Sequence, residues 1–105
     1  MYEIKPEEAR LLREFWEREP SDYSLEFKRV LNRLRIEPLA GKICILSYRD
    51  GREFALGRFG ERRGDPVEPI EARRFARLKD AQWALLKLRW AKHAGHPLPP
   101  ELAAR

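Results

Sequence analysis

The sequence predicts an α+β fold: two N-terminal helices, a β-hairpin with a candidate third strand, and a C-terminal helix. Three observations carry this. Leu11, Leu12, Phe15 and Trp16, and then Phe27, Val30, Leu31 and Leu34, recur at the spacing of one helix face. Two β-rich runs, 42–49 and 52–59, flank an Asp50-Gly51 pair. A third helical pattern, about 80–94, is stopped by Gly95 and Pro97. At 105 residues the chain has material for one core, so 1–95 is expected to form a single domain, with 96–105 as an extended C-terminal tail.

Taken in order, Pro6 stands where a proline suits the first helical position, and Glu7 and Glu8 follow at the positive end of the helix dipole. Glu19-Pro20 ends that helix, read as about 6–18, because the residue before a proline avoids helical geometry. Ser21, Asp22 and Ser24 each offer an N-cap for the second helix, which Glu37-Pro38 closes. In the hairpin, a two-residue type I′ turn at Asp50-Gly51 pairs Ser47 with Phe54, Ile45 with Leu56 and Cys44 with Gly57. Ile43, Ile45, Phe54 and Leu56 then share one face, and Cys44, Leu46, Tyr48, Ala55 and Phe59 the other. Both faces are apolar, so the hairpin should be covered on both sides. Residues 60–69 read as a loop. Residues 70–78 read either as a strand or extended arm or as the start of the last helix; Asp80, a good N-cap, favours a fresh helix start there.

Charge narrows the function classes. Lys plus Arg number 22 and Asp plus Glu 17, a net charge of +5, with arginine outnumbering lysine sixteen to six. The absence of threonine and the single Asn and Gln give a composition common in proteins from hot environments. Basic residues are interleaved with carboxylates nearly everywhere, which describes a solvated mixed-charge surface better than a nucleic-acid stripe. No apolar run approaches the roughly 18 residues of a membrane span, and the N-terminus lacks the apolar core of a signal peptide. The lone Cys44 suits a reducing compartment, so a cytoplasmic protein with no membrane association is expected.

The last helix is apolar on two sides. On a helical wheel Ala81, Ala84, Leu85, Leu88 and Ala91 cluster on one side, and Trp83, Leu86 and Trp90 on the other. Either the helix is buried all round, or Ala81, Leu85 and Leu88 face the core and Trp83, Leu86 and Trp90 are left for another chain. We adopt the second reading, in which that strip contributes about 3–6 kcal/mol of association free energy.

No catalytic constellation is assigned, and no cofactor or metal. His93 and His96 are separated by Gly95 and lie next to Pro97, which spoils an i, i+3 metal pair, and Glu101 is the only further ligand at hand. Cys44 sits mid-strand between isoleucines, a packing position. The serines lack a nucleophile-elbow context. Arg49 and Arg52 would face each other across the hairpin tip, with Arg62 and Arg63 in the next loop. These four are a candidate contact for an anion or an acidic partner, although Asp50, Glu53 and Glu61 are near enough in sequence to neutralise them.

The stretch from Arg29 to Arg89 resembles the small (alpha) subunit of N,N-dimethylformamidase. The resemblance is carried by Arg29-Val30, Asn32, Arg35, Pro38, Gly41-Lys42, Ile45, Arg49, Arg58-Phe59-Gly60, Pro66-Val67, Phe75-Ala76, Ala81, Ala84 and Arg89. It implies an accessory subunit beside a large iron-containing subunit where formamide hydrolysis occurs, the small subunit supplying no catalytic residue. It also favours an extended lead-in through Phe75-Ala76 before the last helix. The resulting expectation is a non-catalytic interaction subunit that docks on a larger hydrolase subunit or self-associates. The alternative is a winged-helix nucleic-acid binder, with Lys28, Arg29, Arg33 and Arg35 along the second helix and Arg49 and Arg52 at the wing.

Overall fold

A computed structural model describes residues 2–38 and 40–105. The chain is α+β, with helices toward both ends and a three-stranded antiparallel sheet between them. Its contacts group it into two compact units, one of Met1–Ile36 with Lys87–Arg105 and one of Glu37–Leu86. The ten C-terminal residues, expected to trail as an extended tail, group with the first unit.

The first unit begins with the helix expected over 6–18, but most of it is wound more tightly. Pro6–Arg13 is a 3₁₀-helix, and only the last turn, α1 (Glu14–Glu17), is α-helical. Pro6 occupies its first turn, and the Lys5 N–H donates to the Glu8 carboxylate at 2.9 Å. Ala9, Leu12 and Phe15 are buried along it. A short 3₁₀ turn, Pro20–Asp22, leads into α2 (Leu25–Arg35). Of the three candidate caps, Ser24 is the one used: its Oγ accepts the Phe27 N–H at 3.1 Å. Phe27, Val30 and Leu34 are buried, as their spacing requires, and α2 packs against the 3₁₀-helix.

Glu14 completes that cap. Ser24 donates to it twice, from its N–H at 2.7 Å and its hydroxyl at 2.6 Å, with Arg18 3.9 Å away. Burial pushes the Glu14 carboxyl up, but the two hydrogen bonds from Ser24 and the Arg18 charge together hold it below its ordinary value of 4.5. A carboxylate with a depressed folded-state pKa stabilises the fold above its unfolded value, and that contribution disappears as pH falls through the folded one. Urea unfolding at stepped pH should therefore show Glu14→Gln less stable than the parent at neutral pH. The gap should narrow as the medium is acidified below 4.5. A gap independent of pH would mean that the ionised carboxylate is not what secures the cap.

The second unit is built on the hairpin. β1 (Ile43–Tyr48) and β2 (Glu53–Arg58) pair antiparallel, with Ser47 opposite Phe54, Ile45 opposite Leu56 and Cys44 opposite Gly57, as the alternation predicts. The third strand exists but is brief: β3 (Glu68–Pro69) pairs with Gly57 and Arg58, giving the order β1-β2-β3. Residues 70–77 are neither a long strand nor helical, and the helix after them starts at Leu78. They form an extended lead-in that touches the sheet at one bridge, Phe54 with Phe75. α3 (Leu78–His93) then begins two residues before Asp80. Ala81 and Ala84 of α3 join Leu56 and Phe75 in a core against which Ile45, Phe54, Ile70 and Leu85 pack. This is the Ile43/Ile45/Phe54/Leu56 face of the hairpin. On the opposite face Leu46 and Val67 close over Gly57, so both faces are covered at that level.

α3 continues from the second unit into the first at Leu86–Lys87 and stops where expected, with Gly95 in the left-handed region at φ 72°. The segment expected to be extended contains a short helix, α4 (Pro100–Ala103), whose Leu102 is buried. Arg13 on the 3₁₀-helix pairs with Glu101 of α4 at 2.8 Å, within the first unit.

Candidate functional site: the arginine-rich hairpin tip

The apolar strip proposed for a neighbour is not at the surface. Trp83, Leu86 and Trp90 are exposed by only 2%, 6% and 1%, so the expectation of a free docking strip on α3 is corrected. The cause is visible at Trp90, whose indole N–H donates to the His96 carbonyl at 2.6 Å. The chain after Gly95 turns back and satisfies the polar edge that would otherwise have favoured a wet position. On the other side Ala81 and Ala84 are buried too, while Leu88, assigned to the core, is 37% exposed. The helix is therefore covered on two faces by its own chain.

The remaining candidates lie on the hairpin. Asp50 and Gly51 take the left-handed conformation of a type I′ turn, at φ 55° and 84°. Arg49 is left-handed as well, at φ 51°. The ladder thus ends at Tyr48–Glu53 rather than reaching Arg49–Arg52. The Arg52 N–H donates to the carbonyls of Tyr48 and Arg49, at 3.2 and 3.3 Å, making a four-residue loop. Arg49 and Arg52 consequently do not face each other as a cross-strand pair, an arrangement like charge would have destabilised. The Arg49 guanidinium instead reaches Glu53, Nε to Oε2, at 3.3 Å.

Arg62 and Arg63 do not belong to this tip. They follow the far end of β2, whose six residues carry the chain roughly 17–20 Å along the strand, in a turn where the Arg62 N–H donates to Asp65 at 3.0 Å. The arginine that does join the tip is Arg74, with Arg73 beside it on the other face. Reciprocal hydrogen bonds of 2.8 and 2.7 Å between the backbones of Phe54 and Phe75 bring the lead-in to α3 alongside β2. Arg74 then lies 4.0 Å from the Tyr48 ring centroid and 3.8 Å from Glu53, and Arg73 lies 4.5 Å from the Phe75 ring. Alternation along the strands puts Tyr48, Glu53 and Arg74 on the face opposite the α3 core. Sequence reasoning missed Arg73, Arg74 and Tyr48. The available signal was Phe75: an extended lead-in with an apolar residue able to pair with the sheet brings its preceding arginines along.

Other polar clusters are committed to the fold. One groove in the first unit is lined by Tyr2, Lys5, Glu8 and Arg29, among others. There Tyr2 donates to Glu8 and Arg29 stacks on the Tyr2 ring at 4.6 Å. A smaller one is closed by the Arg13–Glu101 pair and by Arg105 over Trp16 at 5.1 Å. His93 ends α3, His96 contributes its carbonyl to Trp90, and Cys44 is half-buried in β1. Among the described residues no three of His, Cys, Asp and Glu are grouped as a metal site would require. Nor, among them, is any helix long and apolar enough to cross a membrane.

Compared with known proteins, residues 5–97 match the family model described as the N,N-dimethylformamidase alpha subunit. No curated protein and no solved structure matches the chain.

Proposed function

Because the chain belongs to the N,N-dimethylformamidase alpha-subunit family, we propose that it is a non-catalytic accessory subunit that works in the cytoplasm by docking on a larger hydrolase subunit. The observation that carries this reading is the extent of the match, 5–97, which takes in the N-terminal helices, the sheet and α3. The side chains best suited to acid–base work support it. Glu14 is spent on Ser24, Glu8 on Tyr2 and Lys5, and Glu101 on Arg13. A carboxylate that accepts from two donors in its own chain is held ionised as a structural acceptor, the opposite of the poised state general acid–base catalysis needs.

The test is expression of the chain alone and together with the family's large subunit from the same source. Release of dimethylamine from N,N-dimethylformamide is then measured. The isolated chain should give no turnover above background, and the two chains should purify as one species with activity. Turnover by this chain alone would overturn the non-catalytic role. Separate elution of the two chains, with the large one fully active, would overturn the accessory role.

A further inference from the structure

The hairpin end of the second unit carries more positive charge than its own carboxylates neutralise. Segments 49–53 and 73–77, joined by the Phe54–Phe75 bridge, hold Arg49, Arg52, Arg73, Arg74 and Arg77 against Asp50 and Glu53, five to two, a net +3. Glu53 is shared between two guanidinium groups, and Arg52, Arg73 and Arg77 are exposed.

From this juxtaposition we infer that the tip, Arg49, Arg52 and Arg74 around Tyr48, is the surface through which the chain docks on an acidic patch of a protein partner. The inference rests on the subunit reading above and says where that contact is made. Guanidinium groups match carboxylates in geometry as well as charge. One of these, Arg74, is already held on an aromatic ring, that of Tyr48, so part of the side-chain ordering that association normally costs is done beforehand. Tyr and Arg are also the residue types that concentrate binding energy in protein interfaces. A nucleic-acid backbone fits less well. The arginines gather at one tip rather than along a stripe that could follow a run of phosphates.

The experiment uses the full chain, the double variant Arg52→Glu/Arg74→Glu, and a control of equal charge change on α2, Lys28→Glu/Arg35→Glu. Each is titrated with a polyglutamate peptide and with an oligothymidylate of matching charge over a series of salt concentrations. Circular dichroism verifies that each is folded, and the single variant Arg52→Glu, on the exposed loop, replaces the double if Arg74→Glu does not fold. The parent should bind polyglutamate, more weakly as salt rises, and the tip variant should lose at least about tenfold, equivalent to about 1.4 kcal/mol, while the α2 control keeps most of its affinity. Equal losses in tip and control variants would overturn the inference, since net charge alone would then explain binding. Tighter binding of the oligothymidylate would overturn it in favour of nucleic acid. Co-purification with the large subunit separates the two readings. A tip variant that retains that subunit undiminished sinks the tip as the docking surface and leaves the subunit role intact. Selective polyglutamate binding at the tip, with no large subunit held by the parent, sinks the subunit role and supports an acidic protein contact.

Discussion

Replacing Trp90 with alanine should destabilise the protein by about 4 kcal/mol, the range for deleting a fully buried aromatic side chain. At roughly 4–8 °C per kcal/mol for a domain of this size, the melting temperature should fall by on the order of 20 °C. Two terms add. The indole is 1% exposed, so its removal leaves a cavity rather than a solvated notch, and its N–H is the donor that holds the His96 carbonyl at 2.6 Å. Trp90→Phe separates them: it keeps most of the apolar area and drops the donor, and should cost about 1–2 kcal/mol. Urea unfolding of parent and both variants measures the pair. An alanine variant within about 1 kcal/mol of the parent would mean that the ring is not enclosed by its own chain, and the docking strip on α3 would return as a live reading.

The second large effect is at Gly57. A Cβ there would meet Leu46 Cδ1 at 2.8 Å, Leu46 Cγ at 2.9 Å and Val67 Cγ1 at 3.1 Å. Gly57 pairs with Cys44 on one side and Pro69 on the other, so the strand cannot shift without loosening both ladders. Gly57→Ala should therefore cost about 2–3 kcal/mol by overpacking. Most of that penalty should vanish in a Leu46→Ala background, where the two nearest atoms are gone. The cycle of the two single variants and the double isolates the clash from the ordinary loss of a leucine. Additive penalties would show that Leu46 does not close over the glycine and that the face opposite α3 is open.

Much of the fold was legible because its signals are local. The hairpin register follows from a period of two on either side of Asp-Gly: the pairs of Ser47, Ile45 and Cys44 are found, and only the Arg49–Arg52 pair at the tip is not. Ser24 capping α2 and Gly95 ending α3 are decisions of a few neighbouring residues. The tighter winding of Pro6–Arg13 was not legible, since Leu11, Leu12, Phe15 and Trp16 keep the spacing of an α-helix and two of the four lie beyond the 3₁₀ stretch. The candidate site was half legible. Arg49 and Arg52 were placed at the tip, but Arg74 reaches it through a single bridge twenty-one positions along the chain from Phe54. A lone bridge leaves no periodic trace. Arg62 and Arg63 were grouped with the tip by closeness in sequence, and the length of β2 separates them from it.

What the sequence alone determined is the coiling of α2 and α3, the pairing of β1 with β2 and the stops at Pro38 and Gly95, because backbone preference and side-chain period act over a few residues. Tertiary structure alone decided which apolar faces are spent within the chain and which charges come together. A Trp83/Leu86/Trp90 stripe reads the same whether another protein or its own chain covers it. Contact between distant segments depends on how the chain returns on itself, as His96 does to Trp90 and Phe75 to Phe54. The first return closes over the Trp90 indole, and the second brings Arg74 to Tyr48 and Glu53.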